Sequence, residues 1–484
     1  MSNATSTGSH AKKTSLVWWW LVGLLAVAGG IWFVTRPGPL PRKAQPLRFL
    51  FTCDVHGRLV PCGCFSGQLG GLTRIATLFG PPSATDEIRL DIGDALAGPA
   101  DYEVIQYGYI RRAFEMLGYD ALNVGHREAR LSAAQLRELN ARSPVPMLCA
   151  NLLDRATGAP LFDSHRIIRR GDWRIALIGV MDARSIGENL GDGLTVEEPE
   201  VALGKLLPQL KGKADCIVLM AFVDEEAMAA LARQFYELDV ILGGKVRQPS
   251  QQLVKENRSL VLATTNESRA IGTLQARLIA PGRLEAVEGE VKLVSDKIPQ
   301  AAEIADLATS YREEIRRTKL AIDDPATLQA DMVPGVQARS TYAGTQNCLA
   351  CHPMSGQKWA QSGHAQAFAT LVGLKADADP NCIGCHTVGF GTPSGFRREL
   401  AEKKKLVDVG CESCHGPGSQ HVAERRARAE VTAHFHPVGA GDCQKCHHGE
   451  FSRPFAFEQF WPLIMHGKDG IPAKVDPAVS TLQR

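Results

Sequence analysis

The chain has 484 residues, 44% of them hydrophobic, and carries 54 basic against 52 acidic side chains, a net charge of +2 at pH 7. That length is room for about three average domains, and that apolar content excludes wholesale disorder. The near-balance of charge gives no electrostatic case for a nucleic-acid partner, and none is expected.

Residues 1–15 read as a polar cytoplasmic tail, and residues 16–34 (LVWWWLVGLLAVAGGIWFV) as an uncharged apolar run. As a helix that run rises about 28 Å, close to the hydrocarbon thickness of a bilayer. Trp18, Trp19, Trp20 and Trp32 suit the two membrane interfaces. A cleaved signal peptide with Ala26-x-Ala28 as its cleavage signal is the competing reading. Signal cores usually have about 7–15 apolar residues, so the length favours one N-terminal transmembrane helix in the inner membrane. Lys12 and Lys13 before the run, against Arg36, Arg42 and Lys43 after it, leave orientation nearly tied on charge. Residues 35–46, with four prolines, read as a stiff linker.

From residue 47 to 295 short apolar runs end in polar residues or glycine: RFLFTCD, EIRLDIGD, DALNVG, PVPMLCAN, RIALIGVMD, DCIVLMAF and DVILGG. Helical stretches at Tyr102–Leu117, Ala133–Ala141 and Glu225–Tyr236 lie between some of them, and Gly272–Val294 reads as closing strands. This rhythm predicts an α/β domain whose strand ends build a site. Cys53, Cys62, Cys64 and Cys149 fall at strand ends or in the following loop. If they converge they make a metal or iron–sulfur site or a redox disulfide. The plainer alternative, a structural disulfide plus buried thiols, is preferred for an oxidising compartment. Cys216 opens an apolar strand and reads as core.

Asp54-Val-His56, LDIGDALAG, NVGHREA, AFVDEE and ILGGKVRQP resemble, in order, the five blocks of the metallophosphoesterase domain of 5′-nucleotidases. The resemblance implies that Asp94 would bridge two metals. It also shows losses: His126 stands where an asparagine ligand is expected, Arg127 where the catalytic histidine is expected, and Lys245 and Arg247 where the last two histidines are expected. Two-metal phosphatases need full ligand sets on both sides, and a cation at a cation site repels. Asp54, His56, Asp94 and His126 are therefore read as a degenerate metal site on a retained fold, with hydrolysis lost. Ordinary strand-end hydrogen bonding is the alternative role of Asp54 and His56.

Residues 296–345 read as one solvent-facing helix, over about 300–319, followed by a linker. Residues 346–484 carry Cys348-x-x-Cys351-His352, Cys382-x-x-Cys385-His386, Cys411-x-x-Cys414-His415 and Cys443-x-x-Cys446-His447. Independent placement of these residue types predicts roughly 0.01 such motifs in the chain. The spacing lets two thiols reach the vinyl groups of one porphyrin while the adjacent imidazole reaches the iron. A zinc ribbon would not need a histidine after every second cysteine. Four covalently attached haem c groups are expected, with His352, His386, His415 and His447 as proximal ligands. A loop-rich, mostly α segment of this length has little core of its own, so the porphyrins supply apolar surface and lie close together. Covalent haem attachment happens outside the cytoplasm, which places the body of the chain in the periplasm.

CLACHPMSGQKWAQSGHAQAF, NCIGCHTVGFGTPSGF and VGCESCHGPGSQH resemble the tetrahaem cytochrome c family of ammonia oxidisers, over roughly residues 340–470. The resemblance implies three irons with two histidine ligands each and one, at the second motif, with none on its sixth position. Carried over, His364, His421 and His466 are the distal ligands, and the iron on His386 is the open one. His434, His436 and His448 are left as residues of the haem surroundings. The preferred function is a membrane-anchored electron carrier with redox proteins of the membrane or periplasm as partners. The alternatives are an enzyme, either a redox catalyst at the open haem or a residual phosphohydrolase, and a structural subunit of a larger respiratory complex.

Overall fold

The computed structural model describes residues 42–61, 68–265, 267–324, 340–401, 405–433, 435, 437–448 and 455–467. The expected membrane span at 16–34 lies outside these residues, as do Cys62, Cys64, His434 and His436. Among the described residues, no helix is long and apolar enough to cross a membrane. The chain from Gln45 onward forms one compact unit.

The strands in chain order are β1 (Gln45–Thr52), β2 (Glu87–Asp91), β3 (Ala121–Asn123), β4 (Met147–Leu148), β5 (Leu152–Asp154), β6 (His165–Arg170) and β7 (Trp173–Met181). They continue with β8 (Leu194–Val196), β9 (Cys216–Phe222), β10 (Val240–Gly244), β11 (Val254–Glu256), β12 (Ser259–Ala263), β13 (Ala270–Ala280) and β14 (Arg283–Leu293). One six-stranded sheet has the order β14-β13-β1-β2-β3-β4 and a second the order β11-β12-β10-β9-β7-β6. β5 and β8 form a separate pair. In the first sheet β1 to β4 run parallel, and β13 pairs antiparallel with both β1 and β14; in the second β12, β10, β9 and β7 run parallel and the edge strands β11 and β6 antiparallel.

The α/β helices are α1 (Leu72–Phe79), α2 (Asp101–Met116), α3 (Ala133–Ala141), α4 (Pro199–Leu210), α5 (Glu225–Gln234) and α6 (Ala302–Arg317). Strand residues alternate between two cores because side chains on a strand alternate in face. Ile175, Leu177, Val218 and Met220 pack with Phe49, Phe51 and Leu90 between the two sheets. Their neighbours Ile178, Val180, Leu219 and Ile241 pack on the other face with Leu203 and Leu206 of α4 and Leu231 of α5. Burial on both faces explains why these parallel strands read as continuous apolar runs. Asn123 Nδ2 ties the sheets together, reaching Ile92 O at 3.0 Å, Val180 O at 2.8 Å and Met220 O at 3.1 Å.

The helix expected to face solvent does not. α6 buries Ile304, Ala308, Tyr311 and Ile315, one stripe at helical spacing, against the core that includes α2. Its C-terminal half also holds the C-terminal segment: the Tyr311 hydroxyl donates to Asp379 Oδ1 at 3.2 Å, Arg312 Nη1 to Leu374 O at 2.9 Å, and Arg316 grips Asp377 with both terminal nitrogens. Beyond residue 340 the fold is loop-rich. Thr345–Leu349, Pro380–His386, Cys411–His415 and Ala440–Gln444 are short helices that carry or open the four cysteine motifs. A small core of Phe368, Leu371, Ile383, Val388, Phe396 and Leu406 supports them.

Candidate haem centre

Each motif sits on about one helical turn, which brings its second cysteine and its histidine back over the first. His352 N bonds Cys348 O at 2.9 Å, and His447 N bonds Cys443 O at 2.8 Å. All eight motif cysteines, the four motif histidines and His364, His421 and His466 line one cavity of about 1890 Å³. An ordinary small-molecule pocket has roughly 300–1,000 Å³.

The histidines are paired across that space. The rings of His352 and His421 are 6.4 Å apart, those of His364 and His447 6.1 Å, and those of His415 and His466 5.9 Å. Two imidazoles on opposite sides of one metal, each nitrogen about 2.0 Å from it, have ring centres about 6 Å apart. The chemistry of the donor set and its spacing therefore fit a bis-imidazole iron at three of the four motifs. Burial, with a smaller push from His447, lowers the pKa of His364. Burial, followed by Arg425 and His352, lowers that of His421. Both rings are held neutral, the form that binds metal.

His386 is different. Its Nδ1 is 2.6 Å from Ala367 O, which orients the ring and leaves Nε2 as the nitrogen that would bind a metal. Among the described residues, no histidine ring faces it as the other three are faced. The motifs also interlock through their cysteines. Cys348 lies in hydrogen-bond contact with Cys411 and Cys385 with Cys446, and Cys414 neighbours Cys443. The spatial order is thus first, third, fourth, second. Glu412, buried between Cys411 and Cys414 in sequence, accepts the amides of Ala343, Gly344 and Gly418 at 2.8, 2.7 and 2.7 Å. It ties the first and third motifs to one anchor, a role that its exposed-looking sequence context did not signal.

The strand-end face of the α/β part brings together the residues read from sequence as a degenerate metal site. Asp54 and His56 follow β1 and Asp94 follows β2, joined by Asp54 N to Gly93 O at 2.8 Å and His56 N to Asp94 O at 3.1 Å. Asp54, His56, Asp94 and Lys245 all have φ between 52° and 61°, a strained conformation for residues with a Cβ. Around them stand the protein's own cations. Arg127 N donates to Asp94 Oδ1 at 2.8 Å and its Nε is 3.8 Å from Asp94 Oδ2. Lys245 Nζ is 2.5 Å from Asp182 Oδ2, and Arg58 pairs with Glu267. His126 Nε2 is engaged by Asp182 O at 3.0 Å.

Burial pushes the Asp54 carboxyl up to about 6 against the pull of His56, Arg127 and Arg58, while burial and then Arg127 push His56 down to about 4. Burial and the adjacent Glu128 raise Asp94. Glu128, Glu267 and Asp182 were not singled out from sequence. Glu128 stands within NVGHREA, and its carboxylate takes the amides of Asp94, Leu96 and Gly125.

Of the four strand-end cysteines only Cys53 and Cys149 lie among the described residues, and these two do not meet. Cys53 follows β1 and Cys149 follows β4, three strands away in the same sheet, a separation of about 14 Å at ordinary strand spacing. Both are buried free thiols: Cys53 Sγ is 3.6 Å from Gly93 O and Cys149 Sγ 3.4 Å from Asn151 Oδ1. Among the described residues, no three histidine, cysteine, aspartate or glutamate side chains gather as a metal site.

Comparison with known proteins divides the chain in the same way. The family model "Cytochrome c554 and c-prime" matches residues 347–416. The cytochrome c-554 of Nitrosomonas europaea is 36% identical over 109 residues, 19% of this chain and 46% of that protein. The 5′-nucleotidase of Vibrio cholerae is 29% identical over 251 residues, 44% of this chain and 43% of that protein. The chain thus spans under half the length of either relative. The solved 5′-nucleotidase precursor of Thermus thermophilus superposes with a TM-score of 0.50 at 22% identity, over 56% of this chain and 59% of that one, which shows the fold. The C-terminal part resembles the cytochrome c554 family, whose members carry covalently bound haem c, and the N-terminal part resembles the 5′-nucleotidase-like metallophosphoesterases.

Proposed function

We propose that this protein is a membrane-anchored, periplasmic electron carrier with four covalently attached haem c groups. Cys348 and Cys351, Cys382 and Cys385, Cys411 and Cys414, and Cys443 and Cys446 hold them, each iron taking the histidine that follows. His421, His364 and His466 complete the sites of His352, His447 and His415, and His386 binds its iron alone. When bound, such groups take up and release single electrons without bond rearrangement in the protein. The observation that carries the reading is the set of three imidazole pairs with ring centres 5.9–6.4 Å apart. The protein's own part is to fix these rings and to exclude water with Phe435, beside His415 and His421, and Phe455, stacked 4.8 Å from His447.

The α/β part serves docking or assembly and not hydrolysis in this proposal. Arg127 and Lys245 neutralise from within the carboxylates that divalent cations would otherwise neutralise. Partners are then redox proteins of the membrane or periplasm. The denatured chain should keep its haem absorbance, exceed its sequence mass by four haem groups, and take up four electrons in a reductive titration of the folded form. A mass gain of fewer than four haems would sink the assignment.

A further inference from the structure

Asp379 stands where α6 meets the second motif. It caps the helix Pro380–His386, and its Oδ1 accepts Asn381 N at 3.1 Å and the Tyr311 hydroxyl at 3.2 Å. The residue is only 6% exposed and lines the haem cavity, three positions before Cys382. Residues three apart on a helix have Cβ atoms about 5–6 Å apart, so the carboxyl lies about one turn from a sulfur that would hold the porphyrin. Tyr311 lines the same cavity and stands close enough to Cys382 to interact with it electrostatically.

The surroundings leave the charge of this carboxyl poorly compensated. Both hydrogen bonds come from neutral donors. From α6, Arg312 acts on it through charge, with Nη1 bound to Leu374 O, and Arg316 is held by Asp377. From α2, Tyr102 faces it, and within its own helix Cys382 N bonds its backbone oxygen at 2.9 Å. Burial lifts the Asp379 carboxyl above the ordinary carboxylate range, against the pulls of Asn381, Tyr311 and Arg312. Both bonds fall on Oδ1 and leave Oδ2 to take a proton. A buried carboxyl held by neutral donors responds strongly to a change of charge nearby. Adding an electron to a ferric haem is such a change: at about 10 Å and an effective dielectric of about 20, one charge alters proton affinity roughly tenfold.

We propose that Asp379 takes up the proton that balances reduction of the second-motif haem, so that electron transfer at this site is coupled to a proton. The electron comes from a redox protein partner and goes to the iron, Fe(III) becoming Fe(II). The proton comes from solvent water and goes to Asp379 Oδ2, the carboxylate becoming the acid. Reoxidation returns both. The inference rests on the reading that Cys382 and Cys385 hold a haem, and it holds whether or not a sixth ligand closes the iron.

The test is potentiometric titration of the full-length protein over about pH 5 to 9, in wild type, Asp379→Asn and Tyr311→Phe. In wild type one of the four one-electron waves should fall by about 59 mV as pH rises, the equivalent of tenfold tighter proton binding in the reduced state. Asparagine keeps the helix cap, so in Asp379→Asn that wave should be flat in pH and lie at the acid value of wild type. Tyr311→Phe removes a donor that favours the charged carboxylate, so the fall should move to higher pH by about one unit. A role in holding the helix alone would shift a potential without changing its pH dependence. Four flat waves in wild type, or a wave as pH-dependent in Asp379→Asn as in wild type, overturn the proposal. Should that variant not fold, an unmoved fall in Tyr311→Phe overturns it. A wild-type peptide spanning Cys382 and Cys385 without the mass of a haem overturns the reading beneath, and the proton uptake with it.

Discussion

Lys245→Met removes the ammonium that the proposal treats as an internal counter-charge on the strand-end face, paired with Asp182. Its partner Asp182 is pushed up by burial, but hydrogen bonds from Lys245 and Ser185 win and hold its carboxyl at about 2. Against an unfolded value near 3.9, a shift of that size is worth about 2.5 kcal/mol at neutral pH. Ser185 and the Arg184 amide share the effect, and solvent screens a pair this close to the surface, so the part lost with Lys245 is about 1 kcal/mol. The sign follows from a depressed folded value: the stabilisation is full above pH 4 and fades as pH falls through about 2. Urea unfolding of the α/β part, followed by far-ultraviolet circular dichroism, should show Lys245→Met less stable by about 1 kcal/mol at pH 7. The gap should narrow below pH 4. A variant as stable as wild type at pH 7, or a gap that widens on acidification, would refute the idea that Lys245 is an internal counter-charge.

His364→Ala and His421→Ala should each convert one further ferric haem to high spin, raising the share from about one in four to about two in four without loss of covalent haem; an unchanged share would break the corresponding pair. Nucleotides and generic phosphate esters should not be hydrolysed with added Mn²⁺ or Zn²⁺, and metal-dependent turnover abolished by Asp94→Asn would overturn that expectation. Extraction from membranes should need detergent because of the run at 16–34, whereas an N-terminally trimmed, freely soluble protein would identify that run as a cleaved signal.

Local pattern carried most of the α/β fold. RIALIGVMD and DCIVLMAF announce buried parallel strands because both faces are apolar, and they form β7 and β9. β5 and β8, three residues each, have no such signature, and α4 carries Pro208 inside its length. The solvent-facing reading of α6 failed because its polar face dominates the composition while four residues, Ile304 to Ile315, do the packing. The four Cys-x-x-Cys-His motifs are contiguous, so they are legible from spacing alone. Which further histidine ring faces which motif is set by the spatial order of the motifs, and it crosses the sequence: His364 lies just after the first motif yet faces His447 of the fourth. Glu267 was out of reach for the same reason, since it meets Asp54 and Arg58 from more than two hundred residues away.

Electron paramagnetic resonance of the oxidised, full-length protein tests the central assignment most directly. Three imidazole pairs and a lone His386 predict three low-spin ferric haems and a high-spin signal that integrates to about one part in four. A spectrum with no high-spin signal would mean that another residue closes the His386 site. A high-spin share of one half or more would mean that at least one of the three histidine pairs does not hold an iron.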